Sequence, residues 1–149
     1  MARTRLSHLP ARLSTGIFIA NSGWGKLRAD EETAKRVHGM AVQAYPALGR
    51  VGPMVFIRVL GLTELLLGVA LTVPFVSTTK AAAGLTAFAA GLLGLYARVP
   101  GMRLPGSWRP SPQGLAVAKD VWMAGIGLTL LADQASARLR RRVRRTPAA

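Results

Sequence analysis

The chain has no cysteine, and only 6 of its 149 residues are acidic and only 2 are histidine. The absence of cysteine excludes disulfides, thiolate metal ligands, iron–sulfur clusters and a cysteine nucleophile within this chain. Both histidines, His8 and His38, lie outside the apolar segments, so we expect no haem held between helices and no metal site. Any redox chemistry would therefore need a borrowed cofactor or a partner.

Basic residues are in large excess, since 20 lysines and arginines give a net charge of +14 although only 17% of the residues are charged. Half of the chain is hydrophobic, which is typical of an integral membrane protein. Much of the positive charge lies in a basic N-terminal arm, residues 1–12, and an Arg-rich tail, residues 134–149. Such segments bind anionic lipid, so we expect the lipid bilayer and not nucleic acid as the partner.

Four apolar segments approach the roughly 20 residues that span a bilayer, at about 13–28, 54–73, 81–97 and 115–132. They predict an all-α fold, an integral membrane four-helix bundle within a single domain, residues 13–133. The first segment is the weakest because it contains Asn21, Ser22 and Lys26. It also has the short apolar core of a signal peptide, but no small-x-small cleavage site follows cleanly.

The long connection between the first two segments has a helical pattern of its own. Asp30 is a candidate N-cap. Four residues then recur at helical spacing before Pro46: Ala34, Val37, Ala41 and Tyr45. We predict a short amphipathic helix on the membrane surface. Lysine and arginine are more numerous on the side of the two termini, which favours a multi-pass plasma-membrane protein with both termini in the cytoplasm.

Small residues recur within the apolar segments at spacings that allow helix backbones to approach closely. We predict that five of them pack between helices: Gly61, Gly68, Ala87, Gly91 and Gly127.

Glu64 lies near the middle of the second segment, where an ionisable side chain needs a partner, a proton or a function. Arg58 is six residues away, about 120° around the helix, so the partner of Glu64 should come from another helix. At the predicted depths a nearly balanced cluster forms from Lys26, Arg58, Glu64, Lys119 and Asp120. The cluster is either a ligand or proton site or a static network of salt bridges, and no catalytic residue can be named.

Three short motifs together resemble the DoxX-like family of small membrane proteins, particularly its actinobacterial members. They are the Ser22-Gly23-Trp24-Gly25-Lys26 ending of the first segment, Glu64-Leu65 followed by Gly68, and Lys119-Asp120-Val121-Trp122. The resemblance covers residues 12–133.

This resemblance implies a four-helix bundle linked to quinone-dependent sulfur or thiol oxidation, in which some members are subunits of larger oxidoreductase complexes. Any electron path would then depend on a bound quinone or on a partner protein, and the cofactor stays open. If a quinone binds, Lys26, Arg58, Lys119 and Asp120 would anchor its head group while Glu64 carries a proton. Two alternatives stay open: a non-catalytic structural or partner-binding subunit, and a small proton-coupled transporter. The sequence decides neither whether the protein catalyses a reaction nor whether it forms an oligomer.

Overall fold

The computed structural model describes residues 5–143, apart from the side chains of Arg141 and Arg142, and is helical throughout its length apart from turns, loops and one isolated β-bridge. The tail arginines Arg144 and Arg145 and the arm residue Arg3 lie outside the described residues. Six α-helices follow one another along the chain: α1 (Leu9–Leu27), α2 (Glu31–Ala44), α3 (Pro53–Thr72), α4 (Thr78–Arg98), α5 (Leu115–Ala118) and α6 (Val121–Val143).

Three stretches are long and apolar enough to cross a membrane: Pro53–Thr72, Thr78–Arg98 and Leu115–Arg140. The first predicted span, α1, does not reach the same apolar content, because Asn21, Ser22 and Lys26 interrupt it. It nevertheless has 19 residues and packs against α3 along most of its length. The chain is therefore a helical membrane bundle, in which the polar face of α1 is only partly covered: Ser22 and Lys26 are half-buried, whereas Asn21 is exposed.

The antiparallel contact between α1 and α3 depends on glycine. A Cβ atom at Gly23 would lie 2.5 Å from the carbonyl oxygen of Gly61, and one at Gly68 would lie 2.5 Å from the backbone nitrogen of Ala20. Neither distance can be accommodated, so the two backbones touch only because these side chains are absent. Gly127 of α6 has the same role towards Thr86 of α4.

We expect Gly23→Ala to lower the free energy of unfolding by about 2 kcal/mol, because the new methyl group forces α1 away from α3. The measurement is SDS-induced unfolding of the protein in mild detergent. Gly25→Ala is the matched control, since Gly25 lies on the same helix with nothing within 4 Å of an added Cβ. Equal effects of the two substitutions would refute the role of close packing.

Arg12 was predicted to belong to the basic arm, but α1 begins at Leu9 and Arg12 is 1% exposed. Its guanidinium group donates hydrogen bonds to the carbonyl oxygens of Ala70, Leu71 and Val73 at 2.8–3.0 Å, and to Thr78 Oγ1 at 2.7 Å. The last carbonyls of a helix have no partner within the helix, and they carry partial negative charge. Arg12 therefore caps the end of α3 and fastens α1 to the turn before α4.

Replacing Arg12 by Lys keeps the charge but loses the planar set of donors, so we expect the free energy of unfolding to fall by about 2 kcal/mol. The same unfolding titration measures it. Arg58→Lys, at an exposed position of α3, should leave stability unchanged. If Arg12→Lys behaves like Arg58→Lys, the capping role is wrong.

Contacts place the two described ends of the chain at one end of the bundle. Arg5 forms an ion pair with Asp133 of α6 at 2.8 Å, and Arg138 donates to Thr79 Oγ1 near the start of α4. The opposite end carries α2 and the loop that joins α4 to α5. Asp30 caps α2, and its pKa lies below the usual value because the backbone N–H of Thr33 donates to the carboxylate.

The fourth span was predicted as one helix over residues 115–132, but the structure has two helices there. It is divided at Lys119 and Asp120, where α5 ends in a turn before α6 begins, and α6 then continues to Val143 into the predicted tail. Within α4, the residues that pack into the core are Ala81, Leu85 and Ala89. They join Leu71 and Met123 in one buried cluster.

Candidate functional site

A cavity of about 480 Å³ lies inside the bundle, bounded by α1, α2, α3, α4 and the junction of α5 with α6. Its walls are mainly apolar, formed by side chains that include Phe18, Met40, Phe56, Leu60, Phe88 and Met123. Ser22, Lys26, Glu64 and Asp120 supply polar groups to the same cavity. A few convergent polar groups in an apolar pocket of this size are typical of a ligand site.

Lys26 and Glu64 form the ion pair that organises the polar part of the cavity. Lys26 Nζ lies 2.7 Å from Glu64 Oε2 and donates a second hydrogen bond, of 2.8 Å, to Ser22 Oγ one helical turn earlier. Glu64 is 4% exposed, so its charge is balanced by Lys26 and not by solvent. An ammonium group has three N–H donors, which leaves one donor of Lys26 for a ligand.

The partner of Glu64 thus comes from another helix, as the 120° separation from Arg58 indicates. Lys26 reaches Glu64 because Gly23, one turn before it, lets α1 lie against α3 beside Glu64. The close backbone contact and the ion pair are therefore parts of one arrangement.

Asp120 reaches the cavity from the turn between α5 and α6. Its side chain is only partly buried, and it lies within electrostatic range of Lys26, Glu64 and Lys119. Among residues 5–143, no donor lies within hydrogen-bonding distance of its carboxylate. Asp120 is thus the acidic group of the cavity that still has room for a donor.

The structure brings three of the five predicted cluster residues together and leaves two apart. Lys26, Glu64 and Asp120 line the cavity, whereas Arg58 and Lys119 are exposed and do not line it. Arg58 lies on the outer face of α3, and Lys119 points away from the cavity that its neighbour Asp120 lines. A depth estimate gives a residue's height along a helix but not the direction of its side chain, which explains the difference.

The five residues predicted to pack between helices also divide into two groups. Gly61, Gly68 and Gly127 each lie against a neighbouring helix. Ala87 and Gly91 instead are exposed and line the cavity, and an added Cβ at Gly91 would meet nothing within 4 Å. Small residues on α4 therefore make space on this face of the helix and do not tighten a contact.

Tyr45 is a cavity residue that was not assigned to the site from the sequence. Its hydroxyl donates a 2.8 Å hydrogen bond to the carbonyl oxygen of Gly91, which ties the end of α2 to α4. The helical spacing of Val37 and Ala41 predicted the apolar face of α2, and that face covers the cavity together with Met40. The sequence signals for Tyr45 itself are its helical spacing from Ala41 and its place before Pro46.

A second cavity, of about 520 Å³, lies in the loop between α4 and α5 and is lined by Arg98, Arg103 and Trp108. Its arginines already have partners: the guanidinium of Arg103 stacks on Trp108 and donates to the carbonyl oxygen of Ala97, and that of Arg98 stacks on Tyr45. The loop is folded by these contacts, which makes it a weaker candidate site than the cavity inside the bundle.

The model of the DoxX family matches residues 7–96. The chain belongs to the DoxX family. No curated protein and no solved structure matches the chain. The part that matches the DoxX model contains Lys26 and Glu64, whereas Asp120 lies beyond it in the sequence.

The ion pair between Lys26 and Glu64 predicts that, in this DoxX protein, removing one of the two charges costs more stability than removing both. Lys26→Met should lower the free energy of unfolding by about 3 kcal/mol, because it leaves the buried Glu64 carboxylate without its partner. Adding Glu64→Gln to Lys26→Met should restore much of the loss, because no buried charge then remains. SDS-induced unfolding of the two single variants and the double variant gives the coupling energy.

Lys119→Met is the control, because it also removes one positive charge but at an exposed position. It should leave stability nearly unchanged. Additive effects of Lys26→Met and Glu64→Gln would contradict a direct pair.

Proposed function

We propose that this protein is a membrane component of a quinone- or thiol-linked redox system, and that the cavity inside the bundle binds the quinone head group. One observation carries the proposal: an apolar cavity of about 480 Å³ ends at the ion pair of the buried Glu64 with the partly exposed Lys26, and this lysine still has one free donor. Membership of the DoxX family is consistent with this role but does not specify it.

The walls of the cavity favour a lipophilic ring over a hydrophilic solute. Phe18, Phe56 and Phe88 present aromatic surfaces, and Leu60 and Leu92 present aliphatic ones. Burying such surface against an apolar ligand is favourable at about 25 cal/mol per Å². A ligand dissolved in the bilayer would already be concentrated next to this site.

The polar part of the cavity fits the oxygen atoms of a quinone. A carbonyl oxygen needs a donor, and the remaining N–H of Lys26 is a charged one, which forms stronger hydrogen bonds than a neutral donor. Glu64 holds the ammonium group in place through its 2.7 Å contact. In this proposal Glu64 acts first by orienting Lys26, and a proton role for Glu64 would require that contact to open.

A bound quinone would supply the electron-accepting chemistry, because the chain has no cysteine with which to form a thiol couple or hold an iron–sulfur cluster. The electron donor would then be a partner subunit or a thiol substrate. Both described ends of the chain lie at the same end of the bundle as the turn between α3 and α4. The excess of lysine and arginine on that side favours a plasma-membrane orientation in which it faces the cytoplasm.

A cavity-filling substitution tests the proposal without removing any polar group. Gly91→Leu places a side chain where an added Cβ meets nothing within 4 Å, so the fold should tolerate it while the cavity is blocked. We expect binding of decylubiquinone in mild detergent to weaken by tenfold or more. Quenching of tryptophan fluorescence measures it, since Trp122 contacts Phe18 on the cavity wall at 6.0 Å between ring centres.

Gly125→Leu is the matched control, because Gly125 is exposed on α6 and also has nothing within 4 Å of an added Cβ. It should bind the quinone as the unaltered protein does. Equal quenching in both variants would mean that the quinone only partitions into the micelle. A co-purified oxidoreductase without quinone binding would favour the non-catalytic partner-binding subunit.

A further inference from the structure

The carboxylates in the cavity are not equivalent. Glu64 is held by Lys26 at 2.7 Å, whereas Asp120 has no hydrogen-bond donor among residues 5–143 although it lines the same cavity. A ligand that displaces water from this partly buried carboxylate must supply a donor, because a carboxylate buried without a donor is costly.

Asp120 also has no role as a helix cap. Capping of α6 would need a backbone N–H of its first turn to donate to the carboxylate, but the N–H groups of Met123 and Ala124 instead donate to the backbone carbonyl oxygen of Asp120. Lys119, its neighbour in sequence, is exposed and forms no ion pair with it among the described residues. The carboxylate is therefore left for a group that enters the cavity.

We propose that Asp120 accepts a hydrogen bond from a hydroxyl group on the ligand, so that the cavity selects lipophilic molecules that carry a phenolic or alcoholic O–H. The proposal rests on the proposed function, because it assumes that the cavity binds a lipophilic ligand. In terms of that function, the cavity binds the quinol, which carries hydroxyl groups, more tightly than the quinone. Asp120 is the residue that recognises the hydroxyl group.

A hydroxyl group fits the cavity better than an amine does. A carboxylate accepts hydrogen bonds from either group, but an ammonium head has only donors and cannot accept the remaining N–H of Lys26, which lines the same cavity. A hydroxyl group brings no charge. It can also accept the remaining N–H of Lys26 while it donates to Asp120.

Redox-inert probes separate recognition of the hydroxyl group from general hydrophobic binding. The pair is para-decylphenol and para-decylanisole, in which a methyl ether replaces the hydroxyl and removes its only donor. We expect the unaltered protein to bind the phenol about tenfold more tightly than the anisole, because hydrogen bonds to charged groups are of that strength. Binding is measured by displacement of decylubiquinone, with Gly91→Leu as the background for partition into the micelle.

Asp120→Leu should abolish the preference by weakening phenol binding about tenfold, with anisole binding unchanged or slightly tighter. Asp120→Asn should fall between the two, since the amide oxygen accepts a hydrogen bond without the charge. Lys119→Gln is the control on the adjacent exposed residue and should keep the full preference. Unchanged SDS-induced unfolding of Asp120→Leu shows that the bundle remains intact.

The outcomes distinguish this proposal from the one on which it rests. If both probes bind equally to the unaltered protein, or if Asp120→Leu keeps the preference, the role of Asp120 is refuted and the cavity stands as a ligand site. If neither probe binds above the Gly91→Leu background, the cavity itself is not a ligand site. If decylamine binds more tightly than the phenol, the cavity selects an amine and not a hydroxyl group, and the proposed selectivity is overturned.

Discussion

The ion pair between Lys26 and Glu64 constrains the rest of the bundle, because a carboxylate that stays charged in the middle of an apolar helix needs a cation within hydrogen-bonding distance. To bring Lys26 to 2.7 Å from Glu64, α1 has to lie almost backbone to backbone with α3. Gly23 and Gly61 permit that approach, and Arg12 fastens the other end of α1 to the last carbonyls of α3. The polar content of α1, which weakens it as an isolated membrane span, is thus what attaches it to the bundle.

The tight contact of α1 with α3 also explains where the bundle is open. Only a few contacts join α3 directly to α4, whereas α4 packs closely with α6. The space between the two helix pairs is left to the cavity, which α2 covers at one end. Gly91 and Ala87 contribute to this space because one has no side chain and the other only a methyl group. Tyr45 holds α2 over the space through its hydrogen bond to Gly91. The position of the proposed ligand site, between two closely packed helix pairs, follows from this division.

Much of this arrangement could be predicted from residue types alone. The helical class follows from the apolar segments, and the amphipathic α2 follows from the spacing of its apolar residues. The rotation of about 120° between residues 58 and 64 indicates that the partner of Glu64 lies on another helix. Membership of the DoxX family agrees with the motifs around Lys26 and Glu64. Arg12 is the clearest failure: a short arginine-containing segment before an apolar run is typical of a solvated arm, and no local pattern distinguishes an arginine that caps a distant helix.

The sequence by itself determined that the chain is a helical membrane protein and that Glu64 needs a proton or a partner from another helix, because both depend on the transfer of side chains from water to hydrocarbon. The tertiary structure alone decided that the partner is Lys26, that Arg58 and Lys119 are exposed, and that the Asp120 carboxylate meets no donor in the described part of the chain. These facts depend on the rotation of each helix about its own axis and on the break between α5 and α6. Both are fixed by contacts between segments far apart in the chain, such as Gly23 with Gly61, and not by the local pattern of either segment.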